Sequence, residues 1–409
     1  MINKIEANYP EAFVLEGDIE RSEKYYGWED SRRAAIQTSI QQQEGMNEYY
    51  QAAADAFSTV CSNENFVYSP LNIYIAMALL AEISAGNTKE QILNALKVEG
   101  MDTLRNRVKA LWDANYVNTP FVKSLLANSL WMRDDIKYND EVLKKASEDY
   151  CASSYIGEMG ADEMNHELQD WTNRNTGGHL SEYVKDMELD PETVLGLVST
   201  IFFKAAWTDA FDKKKTMQEV FHGANGDTQV QMMHMNLNTD ICTRENFRAA
   251  QLYLNHSGSV YFFLPKNGVN AADIMRDPEA LSIIRHTGDQ RSEYLNVNIS
   301  VPRFKVKNSI SIQDDMERLG ITDAFNRNTA DFAQITDDSS EVWIDSATHS
   351  AMVEVDEEGV TGAAYTAYFV TGAGFPEEET VFMLDRPFCF SVVSSDRSIL
   401  FSGVVQTIE

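Results

Sequence analysis

Apolar residues recur along this chain with two periods, and each change of period marks a new element. Tyr50, Ala54, Phe57 and then Val60 or Cys61 sit at helical spacing and predict a helix over 47–61. Phe66-Val67-Tyr68 predicts a short strand, stopped by Ser69-Pro70. The run LNIYIAMALLAEIS is apolar nearly all round, which predicts a buried helix, ended by Gly86. From Asn87-Thr88 the amphipathic TKEQILNAL predicts the next helix. Residues 125–133 read as a strand and 139–172 as helical, with 163–173 one segment ahead of Gly177-Gly178. VLGLVSTIFFKAAW, 194–207, is a continuous apolar run of strand type, expected at the centre of a sheet with both faces covered. Hairpin material follows over 221–235 around Asn225-Gly226. Strands are expected at 249–254, 259–264 and 294–306, then a helix at 312–319 closed by Gly320. The last third is strand-rich, at 342–345, 349–355, 380–384, 388–394 and 399–405. Helices and strands alternate without a strict βαβ order, an internal repeat or a Pro/Ser linker, which predicts one α+β unit over 45–409. Residues 1–44 are polar and acidic and read as a partly helical N-terminal extension.

One stretch departs from both periods. Residues 357–375, EEGVTGAAYTAYFVTGAGF, lie between the acidic clusters Asp356-Glu357-Glu358 and Glu377-Glu378-Glu379, and from Gly359 to Pro376 nothing is charged. In extended form one face shows Val360, Gly362, Ala364, Thr366, Tyr368 and Val370, and the other Thr361, Ala363, Tyr365, Ala367, Phe369 and Thr371. Either face can be buried without desolvating an ion. The segment reads as an ordinary buried strand with a Gly-rich turn, or as one that is mobile in one state and a central strand in another.

Charge narrows the partners. The chain has 34 Lys and Arg against 63 Asp and Glu, a formal charge of −29, over 409 residues. That balance argues against nucleic acid, heparin-like polyanions or anionic membrane as the main partner. Lys213-Lys214-Lys215 reads as a solvated loop. Cys61, Cys151, Cys242 and Cys389 form no metal-like spacing, and Cys389 reads as a buried thiol. No apolar run is long enough for a membrane span, and MINKIEANYPEAF has no signal core. With a leader removed the chain is expected to be secreted or at the cell surface; cytoplasmic is the alternative.

Reaction chemistry is thin. GxSxG, HExxH, P-loop and GxGxxG patterns are missing from the sequence. His166 lacks a second ligand four residues on, and His222, His234 and His349 read as structural. The sequence therefore predicts no enzyme, no metal and no cofactor.

Several segments, in order, resemble the serpin family from about residue 47 to the C-terminus. NFVYSPLNIYIAMALL resembles the entry to its buried second helix, AGNTKEQILNAL the helix after it, and VLGLVSTIFFKAAW the central strand of its main sheet. VPRFKV, LGITDAF and ADFAQI resemble the block before the mobile loop, EEGVTGAA the loop hinge, and DRPFCF with ILFSGVV the C-terminal strands. The resemblance implies a large mixed sheet A with two further sheets, about eight or nine helices and an exposed reactive-centre loop over about 357–379. Acidity and few cysteines suit a microbial member. It also implies a monomer able to form loop–sheet polymers.

What the family does explains the odd stretch. A protease cuts the loop, and the freed segment enters the main sheet as a new strand, one known case of strand addition. About 14 residues at roughly 3.3 Å each carry the esterified protease some 45 Å. Glu357, Glu358, Gly359, Val360, Thr361, Gly362, Ala363 and Ala364 fall on the hinge, with Gly359 expected to supply backbone freedom. The family's spacing of seventeen residues from Glu357 places the reactive bond at Ala373–Gly374. Alanine suits a narrow apolar pocket, so the expected partners are elastase-like serine proteases first and subtilisin-like second. Trapping of cysteine proteases through a thioester is a further option. Trp207, Arg303 and Glu357 fall where the loop first enters, with an exposed Arg303–Glu357 pair expected to contribute only about 0–1 kcal/mol. Ser69, Asn72, Ser199 and His349 match the polar cluster that gates sheet opening. The family usually has serine where Asn72 stands and asparagine where Ser199 stands; the exchange either conserves the hydrogen bonding or retunes opening. Gly362, Tyr365 and Tyr368 also depart from the pattern and bear on insertion speed. The alternative to an irreversible inhibitor is a non-inhibitory serpin acting as carrier, storage or chaperone protein.

Overall fold

Long-range strand pairing dominates the computed structural model, which describes residues 2–10, 13, 23–58, 64–120, 122–178, 181–336, 342–360 and 379–409. The larger sheet for function has the order Asn3–Ile5, Ala152–Gly157, Val122–Arg133, Leu195–Ala206, Gly359–Val360, Ile344–Val355 and Phe304–Ser311, with Val117–Asn118 paired to Val122–Arg133. Leu195–Ala206 occupies the centre because its residues are apolar on both faces, and all but Lys204 are buried. A second, nine-stranded path runs through the other strands. It consists of two smaller sheets joined only where Ile241–Thr243 of the long strand Gly226–Thr243 pairs with residues 248–250. The fold is thus α+β with one large mixed sheet and two further sheets that share a strand.

Helix Pro70–Ile83 runs beneath the large sheet and is buried at every position, as its uninterrupted apolar composition requires. Ser69 caps it, accepting from the Asn72 N–H at 3.2 Å, and Pro70 occupies the first helical position. The opposite face of the sheet is covered by helix Asp162–Asn175. Its Met164, Leu168 and Trp171 pack on Ala127, Trp131 and Val198.

Three expected elements change. The helical region 139–172 is helix Asp140–Asp149, strand Ala152–Gly157 and helix Asp162–Asn175. Cys151, at φ 47°, turns the chain out of the first helix. Residues 342–345 and 349–355 belong to one strand, Ile344–Val355, and 294–306 divides into Glu293–Pro302 and Phe304–Ser311. Within the first 44 residues, strand Asn3–Ile5 pairs with Ala152–Gly157 and helix Glu23–Gln41 docks on the body. Lys213–Lys215 forms a short exposed 3-10 turn. Among the described residues, no helix is long and apolar enough to cross a membrane, and no His/Cys/Asp/Glu group is arranged for a metal ion.

Candidate functional site

The two long strands at the middle of the sheet, Leu195–Ala206 and Ile344–Val355, run parallel, and they are paired along only half their length. Ser346 to Ser350 face Gly196 to Thr200 directly. Above that, Gly359–Val360 stands between them. Gly359 and Val360 pair antiparallel with Ala206 and Ala205, and Val360 also pairs with Val355. The first two residues of the uncharged stretch therefore stand in the sheet.

Each residue at this upper end has a reason to be there. A Cβ on Gly359 would stand 2.1 Å from the Ala205 carbonyl oxygen and 2.8 Å from the Ala206 Cα. Glycine is required here by close approach. Val360 is fully buried, its side chain on the helix face of the sheet. Asp356 makes the turn, accepting at its carboxylate from the N–H groups of Glu358 at 2.8 Å and Gly359 at 3.1 Å. Trp207 holds the turn from the other side: its indole N–H donates to the Asp356 carbonyl at 2.9 Å and its backbone N–H to the Glu358 carbonyl at 3.0 Å. Arg303 Nη2 donates to Glu357 Oε1 at 2.6 Å. This pair is not exposed in the way expected, because the carboxylate is 2% exposed while the guanidinium is 46% exposed. Burial pushes the Glu357 carboxyl up, but donation from Arg303 and from the Thr216 hydroxyl outweighs it and the group lies below its ordinary value. Lys213 pairs with Glu358. Neither Thr216 nor Lys213 is recognisable from sequence, since nothing local links them to the hinge.

The paired lower end has a polar cluster of its own, without an ion pair among the described residues. Asn72, on the buried helix, donates through Nδ2 to Ser199 Oγ and to the Thr200 carbonyl, both at 2.7 Å, tying helix to sheet. The Ser69 N–H donates to His349 Nε2 at 3.0 Å, so that nitrogen accepts and the ring proton sits on Nδ1, 3.4 Å from Ser199 Oγ. Burial pushes the His349 imidazole down to about 3. Geometry agrees, because a proton on Nε2 would face the Ser69 N–H. Ser69, Asn72, Ser199 and His349 thus meet as one cluster, with the exchanged amide on the helix side. Asn128, opposite Ser199 on the neighbouring strand, also belongs there and carries no sequence signal. Both its amide atoms, and Asn72 Oδ1, are buried and have no hydrogen-bond partner among the described residues. Each such group costs about 1–3 kcal/mol.

Thr361, Gly362, Ala363 and Ala364, and the bond Ala373–Gly374, lie outside the described residues. Cys61 does too; among the described residues Cys151, Cys242 and Cys389 form no disulfide, and Cys389 is buried.

Comparison with known proteins agrees with this architecture. Residues 46–408 match the family profile described as Serpin (serine protease inhibitor). The leukocyte elastase inhibitor of Homo sapiens is 28% identical over 366 residues, covering 86% of this chain and 96% of that protein. The solved structure of the thermophilic serpin tengpin in its native state superposes with a TM-score of 0.78 at 22% identity, covering 99% of this chain and 98% of that one. Human thyroxine-binding globulin complexed with thyroxine superposes at 0.77 and 21% identity, covering 91% of this chain and 99% of that one.

Proposed function

Because the chain belongs to the serpin family, the serine protease inhibitors, we propose that it is an irreversible suicide substrate of elastase-like proteases. The protease serine attacks the Ala373 carbonyl and the Gly374 amine leaves with a proton. The resulting ester on Ala373 is carried off as the freed segment enters the seam, before water resolves it.

The observation that carries this reading is the common register of the seam. Val360 lies opposite Ala205 on one strand and Val355 on the other. Each further residue inserted moves one place back along both. Thr366 then meets Ser199 and His349, which already face each other in the closed half. Residue 370 reaches Leu195 and residue 371 reaches Ile344, the lower ends of the two strands. Down to Gly196 and Ser346 no strand needs to slide to admit the segment; the register of the two strands shifts by one residue only below that point, between Ser346 and Ile344. Insertion also replaces a parallel junction with two antiparallel ones, slightly more stable per residue. The small uncharged side chains at 360, 362 and 364 support entry, and the orphaned amides beneath the closed half support a native state above its minimum. Ala373 supports a narrow apolar protease pocket, as does similarity to a protein named for inhibiting leukocyte elastase; subtilisin-like enzymes are the second class.

Incubation with pancreatic or neutrophil elastase, followed by denaturing gels, tests this. A band at the summed mass that survives SDS is expected. A clipped chain alone, ending at residue 373, would instead support the carrier reading.

A further inference from the structure

At the base of the seam a side chain crosses where the backbone ladder falters. Ile344 faces Leu195 and Ser346 faces Gly196, so Ile344–Val355 carries one residue more than Leu195–Ala206 at this point. The extra residue is Asp345. A register shift of this kind is rare between parallel strands, and its usual effect is to re-aim a side chain or end a pairing. Just above it, a Cβ on Gly196 would stand 3.3 Å from the Ser346 Oγ, so the two strands are drawn close at this end.

The Asp345 carboxylate spans the seam. Its Oδ2 accepts from the backbone N–H of Val194, the residue ahead of Leu195, at 2.6 Å. Its Oδ1 accepts from the indole N–H of Trp343, also at 2.6 Å. Trp343 is held in turn by the Arg327 guanidinium, 4.8 Å from its ring centroid. The Val194 carbonyl accepts from the Arg133 N–H at 3.3 Å, which carries the link on to the next strand, Val122–Arg133. Both groups bonded to the carboxylate are N–H donors, not cations. Burial raises the Asp345 carboxyl above its ordinary value in spite of them, so the charge is held there against desolvation.

Admitting a strand between Leu195–Ala206 and Ile344–Val355 takes their separation from about 4.8 Å to about 9.6 Å. One aspartate side chain cannot follow its own strand over that distance and stay bonded to the other. Entry is therefore complete only when the Val194 N–H has been given up. We propose that Asp345 is a positioning residue that holds the base of the seam shut and decides whether an entering strand goes all the way in. The inference rests on the insertion reading above and adds a barrier at its last stage, below the cluster of Ser69, Asn72, Ser199 and His349.

Annealing of synthetic peptides to the intact full chain, followed on native gels, tests it. One peptide has the sequence of residues 360–373 and is long enough to reach Leu195; the other, 360–365, ends above Ser199. Asp345→Ala should take up the long peptide about tenfold faster than the parent chain, as loss of a hydrogen bond to a charged group implies. It should take up the short peptide no faster than the parent does. Asp345→Asn, which keeps an acceptor, should fall between, and amide exchange at Val194 should quicken in both variants. Cooperative urea unfolding shows that the variants are folded. Equal acceleration of both peptides means general loosening, and unchanged uptake of the long one means that Asp345 holds nothing back. Either result overturns the assignment and leaves the insertion reading standing. If the parent chain and both variants take up neither peptide, the insertion reading falls and the assignment with it.

Discussion

The upper and lower halves of the seam are built from the same two strands and differ in what joins them. Below, Leu195–Ala206 and Ile344–Val355 hydrogen-bond to each other over a polar cluster anchored to a buried helix. Above, among the described residues, Gly359 and Val360 stand between them, and the contacts include a buried valine, a glycine against backbone, and an ion pair. The closed half resists opening through specific hydrogen bonds, yet leaves three amide atoms unmatched. Among the described residues the open half has no direct pairing between the two strands, and Gly359 and Val360 already stand in register there. On the proposed mechanism such a sheet opens from the top, where entry displaces least, and meets its resistance half-way down.

The most severe way to break this contrast is Val360→Arg. A guanidinium where Val360 is fully buried would have to be desolvated without a partner. Protease trapping should disappear altogether while cleavage continues at the parent rate, read as clipped chain with no SDS-stable complex. Continued trapping by this variant would remove Val360 from the hinge.

Next in size is acid. The His349 imidazole is neutral in the native chain, pushed down to about 3, whereas the unfolded chain protonates it near 6.5. Between those values the unfolded state binds the extra proton, so stability is full above about 6.5 and falls with pH by about 1.4 kcal/mol per unit. Burial pushes Asp315 up to about 6, and that group acts in the opposite sense over part of the same window. The informative quantity is therefore the difference between the parent chain and His349→Gln, in urea unfolding from pH 6.5 to 4.5. The variant should lack the loss that His349 contributes. Parallel pH profiles would mean that the lower half is not gated by this ring.

The smallest effect sharpens the upper half. Arg303→Gln leaves the Glu357 carboxylate buried with the Thr216 hydroxyl as its remaining side-chain donor. A fully buried broken pair costs about 3–5 kcal/mol, but the guanidinium is half exposed, so about 1–2 kcal/mol is expected. It should show as a lower urea midpoint and a looser hinge, read as faster amide exchange at Gly359 and Val360. An unchanged midpoint would return the pair to the surface class.

The central strand and the buried helix are legible in the sequence because continuous apolar runs have few other places to go. The hinge is legible through family resemblance, and its charge pattern is visible in composition. Other parts are hidden for physical reasons. Ala152–Gly157 is small and polar apart from Tyr155 and Ile156, and it is a strand because Tyr155 stacks on Trp131, with ring centroids 4.2 Å apart, and because Asn3–Ile5 covers its edge. Helix Met101–Asn115 does carry Leu104, Val108, Leu111 and Trp112 on one face, a period left unassigned in the sequence. Asn128 and Thr216 reach the site through tertiary contacts alone.

The closed half of the seam joins residues that the ribosome makes far apart in time. Leu195–Ala206 gains its right-hand neighbour only when Ile344–Val355 has been synthesised. About 140 residues separate them, and at about 5–20 residues per second the growing chain carries this apolar strand with one edge bare for roughly seven to thirty seconds. Through that interval the strand is a docking edge without its intended partner, and what shields it on the ribosome decides how much of the chain ever reaches the half-open state.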